Sequence, residues 1–242
     1  MTVFCDFDGP LVDVSNRYYS TYQLGLNDTQ AFYKAKGITL PLQILSKEEF
    51  WQMKQERVGD IKIAMRSGLQ GEQINLFLQS VVTIVNQPAL LYKDRMQPQV
   101  NRALALLHSK GVRLIVVTLR PQTQAIQILR NYGLARLFSG IYGTEDDNAA
   151  YLNYAEVKTQ LLAKAIAQQP QHNCQQEPAW IVGDTEADIL AGQALKISTI
   201  AVTCGIRSSL YLQQFQPTCI ATDLLAAAYY LLGIAPITHY QN

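Results

Sequence analysis

Asp6 and Asp8 flank Phe7 at the end of an apolar run, and Gly9 and Pro10 then break the chain. That order of residue types puts two carboxylates into a turn at a strand end. One such acid can be a nucleophile and the other can carry a proton. Acids this close repel one another, so they need a cation or a charged substrate between them. The same residues also fit an edge strand followed by a solvated acidic turn.

Three further sites bear on that choice. Residues 114–118 form an apolar run that ends in the hydroxyl of Thr118, followed by Leu119, Arg120 and Pro121. A hydroxyl and the backbone N–H groups of such a turn can bind a phosphate oxygen. Arg120 could add a bidentate contact or simply cap the loop. Lys158 falls near the start of a helix expected over 154–167, where a cation is mildly unfavourable; chemical use and solvation both remain open. Finally, the apolar run 179–183 ends in Asp184-Thr185-Glu186-Ala187-Asp188. Asp184 and Asp188 share a face if a helix starts there, and Asp184 or Thr185 can equally be its N-cap.

The elements that must position these residues follow from hydrophobic patterning. Strand-like runs are expected at 3–7, 113–118, 140–142, 180–183, 199–202 and 218–221. Helical periodicity lies between most of them, as in 99–110, where Val100, Ala103, Leu104 and Leu107 recur at helical spacing and Gly111 ends the pattern. Alternation of this kind predicts an α/β fold, a Rossmann-like parallel sheet with helices on both faces. Ligands of such sheets bind beyond the carboxyl ends of the strands. Residues 14–95 break the alternation: they carry helical stretches near 17–22, 28–35, 47–54, 59–65 and 72–85 and no convincing strand. The expected organisation is an α/β core from 1–13 and 96–242, with 14–95 as an inserted all-helical cap over the acidic turn.

Taken in order, Asp6-Phe7-Asp8-Gly9, Thr118, Lys158 and the stretch from Gly183 to Asp188, continued by Ile189-Leu190-Ala191-Gly192, resemble the haloacid dehalogenase superfamily of hydrolases. The insert resembles the helical cap of its phosphoglycolate phosphatase and β-phosphoglucomutase relatives. The resemblance implies that Asp6 is a nucleophile forming an aspartyl-phosphate and Asp8 a general acid and base. It implies Mg2+ held by Asp6, the Asp8 backbone carbonyl and Asp184, with Asp188 orienting a metal-bound water or a ligand. Thr118, Leu119, Arg120 and Lys158 would hold the phosphoryl oxygens. Asp8 argues for phosphate over carbon–halogen chemistry, because dehalogenases themselves lack the second Asp. Phosphonate cleavage would need a cap lysine, and no pattern singles out Lys34, Lys36, Lys54 or Lys62. Two positions depart from the family pattern: Pro10 stands for the commoner Thr and offers no N–H, and Leu119-Arg120 replaces a small or amide residue.

The implied activity is a Mg2+-dependent phosphatase acting on a small phosphorylated metabolite. A phosphomutase and a non-catalytic binding module of the same fold are the alternatives. The insert carries Tyr18, Tyr19, Tyr22, Tyr33 and Trp51 with Lys54, Arg57 and Arg66; Arg66, beside Ser67-Gly68, is the expected substrate contact from the cap. The 242 residues carry a net charge of +1, with 48% hydrophobic and 16% charged residues. No broad nucleic-acid surface is expected from that balance, and no apolar run is long enough to span a membrane. Met1 leads directly into the first strand, so no signal peptide is expected. Cys5, Cys174, Cys204 and Cys219 share no zinc-type spacing and are expected to be free thiols in a cytoplasmic setting. His108, His172 and His239 are scattered, against a His-based triad or metal site. No feature sets an oligomeric state.

Overall fold

A computed structural model describes residues 1–169 and 178–234. The chain begins with β1 (Thr2–Cys5) and β2 (Val12–Asp13). Five helices follow: α1 (Ser15–Ala35), α2 (Lys47–Gln55), α3 (Asp60–Arg66), α4 (Glu72–Ile84) and α5 (Pro88–Leu91). Then come β3 (Arg95–Met96), α6 (Val100–Ser109), β4 (Arg113–Pro121), α7 (Gln122–Asn131), a single 3-10 turn at Ala135–Leu137, β5 (Gly140–Thr144), α8 (Ala149–Leu152) and α9 (Ala155–Ala167). The chain continues through β6 (Ala179–Gly183), α10 (Glu186–Ala194), β7 (Ser198–Val202), α11 (Ser209–Gln213), β8 (Cys219–Ala221) and α12 (Leu224–Leu232).

Six strands form one parallel sheet in the order β5-β4-β1-β6-β7-β8. β1 lies at its centre, so both of its faces are buried. Val3 and Cys5 pack with Leu114, Val116, Leu104 and Ala228 on one side. Phe4 packs with Ile115, Val117, Leu162, Ala165 and Ile181 on the other. That two-sided burial explains why the run is continuously apolar rather than alternating. The register pairs Cys5 with both Val116 and Val182, so the three strands run in step and β1 and β6 release their next residues beside the continuing β4.

The fold is the α/β parallel sheet with a helical region that the patterning predicts, with four local differences. β1 stops at Cys5 rather than residue 7: Asp6 N still bonds the Val182 carbonyl at 2.8 Å, but the Phe7 carbonyl turns to accept Leu11 N and Val12 N at 3.2 and 3.0 Å. β4 runs past Thr118 to Pro121, with an irregular pairing to β5 between Val117 and Pro121. The stretches 17–22 and 28–35 are one helix, α1. Gly25 interrupts the helical pattern, yet a Cβ there would lie 3.0 Å from Val81 and 3.2 Å from Phe77. The missing side chain lets α4 approach, and that packing overrides the propensity cost. Last, β2 and β3 pair antiparallel, Val12 with Met96 and Asp13 with Arg95; two residues per strand are too few to show in a pattern.

Cys5, Cys204 and Cys219 are free thiols, and His108 lies in the last turn of α6. Cys174, His172, His239 and most of the Gln-rich stretch 168–176, expected as a surface loop, lie outside the described residues. Among the described residues, no helix is long and apolar enough to cross a membrane.

Candidate active site

The turn after β1 is shaped by its backbone. Gly9 has φ +90°, and its N–H bonds the Val12 carbonyl at 2.9 Å. A Cβ on Gly9 would overlap the Asp184 carboxylate, so glycine is required here for both conformation and space. The turn's bonds come from residues 9, 11 and 12; none is asked of Pro10, which explains why the N–H that proline lacks is not missed.

Asp6 is buried, and its Oδ1 accepts the Phe7 N–H at 2.7 Å and lies 2.8 Å from Lys158 Nζ. Both contacts fall on one oxygen, which leaves Oδ2 for chemistry on the cavity that Asp6 lines. Burial pushes the Asp6 carboxyl up to about 7 against the pull of Lys158, with Asp188 and Asp8 adding to the rise. Burial likewise holds Asp184 well above the usual carboxylate range, reinforced by Asp6 and Asp188. Asp184 Oδ2 accepts the Ile206 N–H at 2.6 Å. A Cβ on Gly205 would overlap that carboxylate, and one on Gly183 would overlap Asp188. Three glycines thus make the cradle in which the acids sit.

Lys158 is buried in α9 and spans Asp6 and Asp188, with Nζ 2.7 Å from Asp188 Oδ1. Burial alone would lower its pKa, but Asp188 and Asp6 overcome that and raise it above the lysine range. Asp188 commits its other oxygen to Thr185, accepting from its N–H at 3.2 Å and its hydroxyl at 2.8 Å. Thr185, extended at φ −126° and ψ 163°, is therefore the N-cap of α10. Asp188 does two structural jobs at once: it starts α10 and holds Lys158.

Carboxylate oxygens of Asp6, Asp184 and Asp188 lie within 4.8 Å of one another. Three buried acids face a single lysine, and their donors are hard oxygens. Both facts suit a small divalent cation such as Mg2+. Asp6 Oδ2 and the second oxygen of Asp184 are the side-chain atoms left to ligate it. The Asp8 side chain stands apart from this group. Its Oδ1 lies 2.7 Å from Arg120 and its Oδ2 3.4 Å from Arg17. Both arginines also pair with the buried Asp94, at 2.7 and 2.9 Å.

Thr118 and Leu119 line the cavity with Asp6, Asp8 and Asp184. The Thr118 hydroxyl accepts the Arg120 N–H at 3.1 Å. Arg120 itself is 1% exposed, turned away from the cavity and into Asp8 and Asp94. Arg66 is not brought to the site: its side chain is 59% exposed and 4.0 Å from Glu49. The end of α3 points it to solvent. The residues from the helical region that do line the cavity are Val14, Tyr18, Lys54, Arg57 and Val58. Tyr151, Asn153 and Arg207 join them from the sheet side. Arg207 follows β7, and a search of every residue beyond a parallel strand's carboxyl end would have found it. Arg17 and Asp94 carry no such signal, since a buried charge pair between residues 77 apart is invisible in sequence.

The sequence pattern described as "Haloacid dehalogenase-like hydrolase" matches residues 3–202. The chain belongs to this family. Within it, the chain is similar to a phosphoglycolate phosphatase of Psychrobacter arcticus, 28% identical over 57% of each protein. It is also similar to a 5'-nucleotidase of Pseudomonas aeruginosa, 28% identical over 56% of this chain and 58% of that one. The chain thus matches little more than half the length of these curated relatives. A solved structure of a predicted phosphatase from Clostridium acetobutylicum shares the fold, with a TM-score of 0.65 at 18% identity over 96% of this chain and 98% of that one.

Proposed function

We propose that the protein is a Mg2+-dependent phosphatase that hydrolyses a small phosphate monoester through an aspartyl-phosphate on Asp6. The observation that carries this reading is the free Oδ2 of Asp6 on the cavity wall, with Oδ1 anchored by Phe7 and Lys158. An anchored carboxylate with one open oxygen is oriented to attack. The curated relatives named above, a phosphoglycolate phosphatase and a nucleotidase, support phosphate ester chemistry.

Asp6 Oδ2 forms a bond to phosphorus as the ester oxygen leaves, and Asp8 gives that oxygen its proton. Water then attacks the phosphorus, Asp8 takes its proton, and the Asp6 carboxylate is released with inorganic phosphate. Lys158 and Thr118 hold phosphoryl oxygens while charge builds on them. Asp6, Asp184 and the Asp8 carbonyl would hold Mg2+, which would supply positive charge between the anionic nucleophile and the anionic phosphate. Asp188 keeps Lys158 in place. Residues 14–95 act as the cap, closing the site from water.

The test is phosphate release from p-nitrophenyl phosphate and a panel of monoesters, with Mg2+ and with EDTA. Metal-dependent turnover is expected; its absence across the panel sinks the reading. A hexose phosphate converted to its isomer with little free phosphate would instead favour a phosphomutase.

A further inference from the structure

Asp8 lines the cavity, and its carboxylate is held by two arginines. Oδ1 is buried, 2.7 Å from Arg120 Nη2, whereas Oδ2 is only loosely held, 3.4 Å from Arg17 Nη2. A guanidinium carries donors and no acceptor, so Oδ2 is the oxygen left to carry a proton. Asp6 follows the same plan, with one oxygen anchored and one open. Each arginine turns another nitrogen to Asp94: Arg120 Nη1 lies 2.7 Å from Asp94 Oδ2, and Arg17 Nε donates to Asp94 Oδ1 at 2.9 Å. Arg17 Nη1 is fixed as well, by the Val85 carbonyl at 2.9 Å and Asn86 Oδ1 at 3.0 Å. The Arg120 guanidinium lies 5.2 Å from the centre of the Phe7 ring. A planar fork held on two sides keeps one rotation. Two cations and two carboxylates balance, so the group has no charge left over for an anionic ligand. Asp94 is buried and away from the cavity lining, so it reaches the chemistry only through the two arginines.

We propose that Asp94 is a positioning residue of the reaction: through Arg17 and Arg120 it sets the Asp8 carboxylate where its proton meets the leaving oxygen. The inference rests on the phosphatase reading, in which Asp8 is the general acid. Among the described residues, the two arginines are the side-chain partners that restrain Asp8. Proton transfer needs contact at hydrogen-bond distance, and a misplacement of about 1 Å costs about 100-fold. Asp94 fixes the rotation of both guanidiniums, and the guanidiniums fix the carboxylate.

The experiment measures kcat/KM in Mg2+ for p-nitrophenyl, phenyl and benzyl phosphates. The three are similar in shape and differ in how much the leaving oxygen needs a proton. p-Nitrophenolate leaves as a stable anion, whereas the benzyl alkoxide must be protonated as it departs. Asp94→Asn should lower kcat/KM for benzyl phosphate about 100-fold and for p-nitrophenyl phosphate only a few-fold, with phenyl phosphate between them. Asp8→Asn should show the same selectivity, and adding Asp94→Asn to it should cost benzyl phosphate nothing further. An equal fall on all three esters, or additive losses in the double variant, overturns the positioning role and leaves the phosphatase reading intact. So does a parent that hydrolyses p-nitrophenyl phosphate alone, since no proton is then being delivered. A parent inactive on every ester overturns both readings. Should Asp94→Asn fail to fold, Arg17→Lys takes its place: it keeps the charge and loses the fork that spans Asp94 and Asp8. The same selective loss is expected, and a second failure to fold assigns the group to stability and overturns the proposal.

Discussion

At Asp6 one carboxylate does two opposed things: one oxygen is locked by Phe7 and Lys158, and the other is left open. Asp6→Asn keeps the shape and the acceptor but removes the nucleophile. Turnover is expected to fall by about three orders of magnitude or more, and full activity in the variant would refute the assignment. Burial has already pushed this carboxyl up to about 7 from 3.8. Its charged form therefore disfavours the fold at neutral pH, and metal-free Asp6→Asn should melt no lower than the parent. Gly205 is the less obvious residue. Gly205→Ala would drive a methyl into the Asp184 carboxylate, so Mg2+ should no longer raise Tm while the circular dichroism spectrum stays unchanged. A normal Mg2+ response would mean that Asp184 is not a ligand.

Among the elements, the junction of the helical region with the sheet carries the densest charge. Arg17 on α1, Asp94 before β3, Arg120 on β4 and Asp8 in the turn form a closed group of two cations and two anions. Three of the four side chains are 1–2% exposed. Arg17 also donates to the Val85 carbonyl at 2.9 Å, so the group ties the end of α4 to the site. Removing one member of such a group strands a buried partner and typically costs about 3–5 kcal/mol. Asp94→Asn is expected to destabilise by an amount of that order in urea unfolding, and to lower kcat as Asp8 loses its restraint. A change under about 0.5 kcal/mol, the size expected of surface sites, would show that the network is idle. Both effects come from a residue with no place in the family's motifs.

For the whole molecule, the helical region is fastened over the cavity by a few contacts. Glu186 holds Arg57 and Arg207, Arg207 reaches the Lys54 carbonyl at 3.1 Å, and Ser208 N–H bonds the Gln55 carbonyl at 3.0 Å. Burial works to raise the Glu186 pKa, but Arg207 and then Arg57 win and hold it below 4.5. Because the folded value is depressed, the stabilisation is complete above 4.5 and drains away as pH falls through the lower folded value. The Tm gap between the parent and Glu186→Gln should therefore be constant at neutral pH and close on acidification. A gap that persists below that window would assign the loss to packing rather than charge.

Strand runs, the order of the motifs and the long helical stretch were legible in the sequence because each is local: apolar periodicity and a turn's glycine act on their own neighbours. Asp6, Thr118 and Asp184 stand out in the sequence at the ends of apolar runs, and the parallel register sets those runs side by side; Lys158 comes to them from α9. Arg66 reads in the sequence as a loop cation and lies away from the cavity, because which face a helix end presents depends on packing it does not encode locally. The sequence leaves Arg120 open between substrate and structure, and its burial against Asp8 and Asp94 is a long-range fact. By itself the sequence determined the parallel sheet, the acidic strand ends and the chemistry they suit. Only the tertiary structure decided which charges face one another across the cavity, since pairing between residues tens of positions apart is set by the fold and not by spacing along the chain.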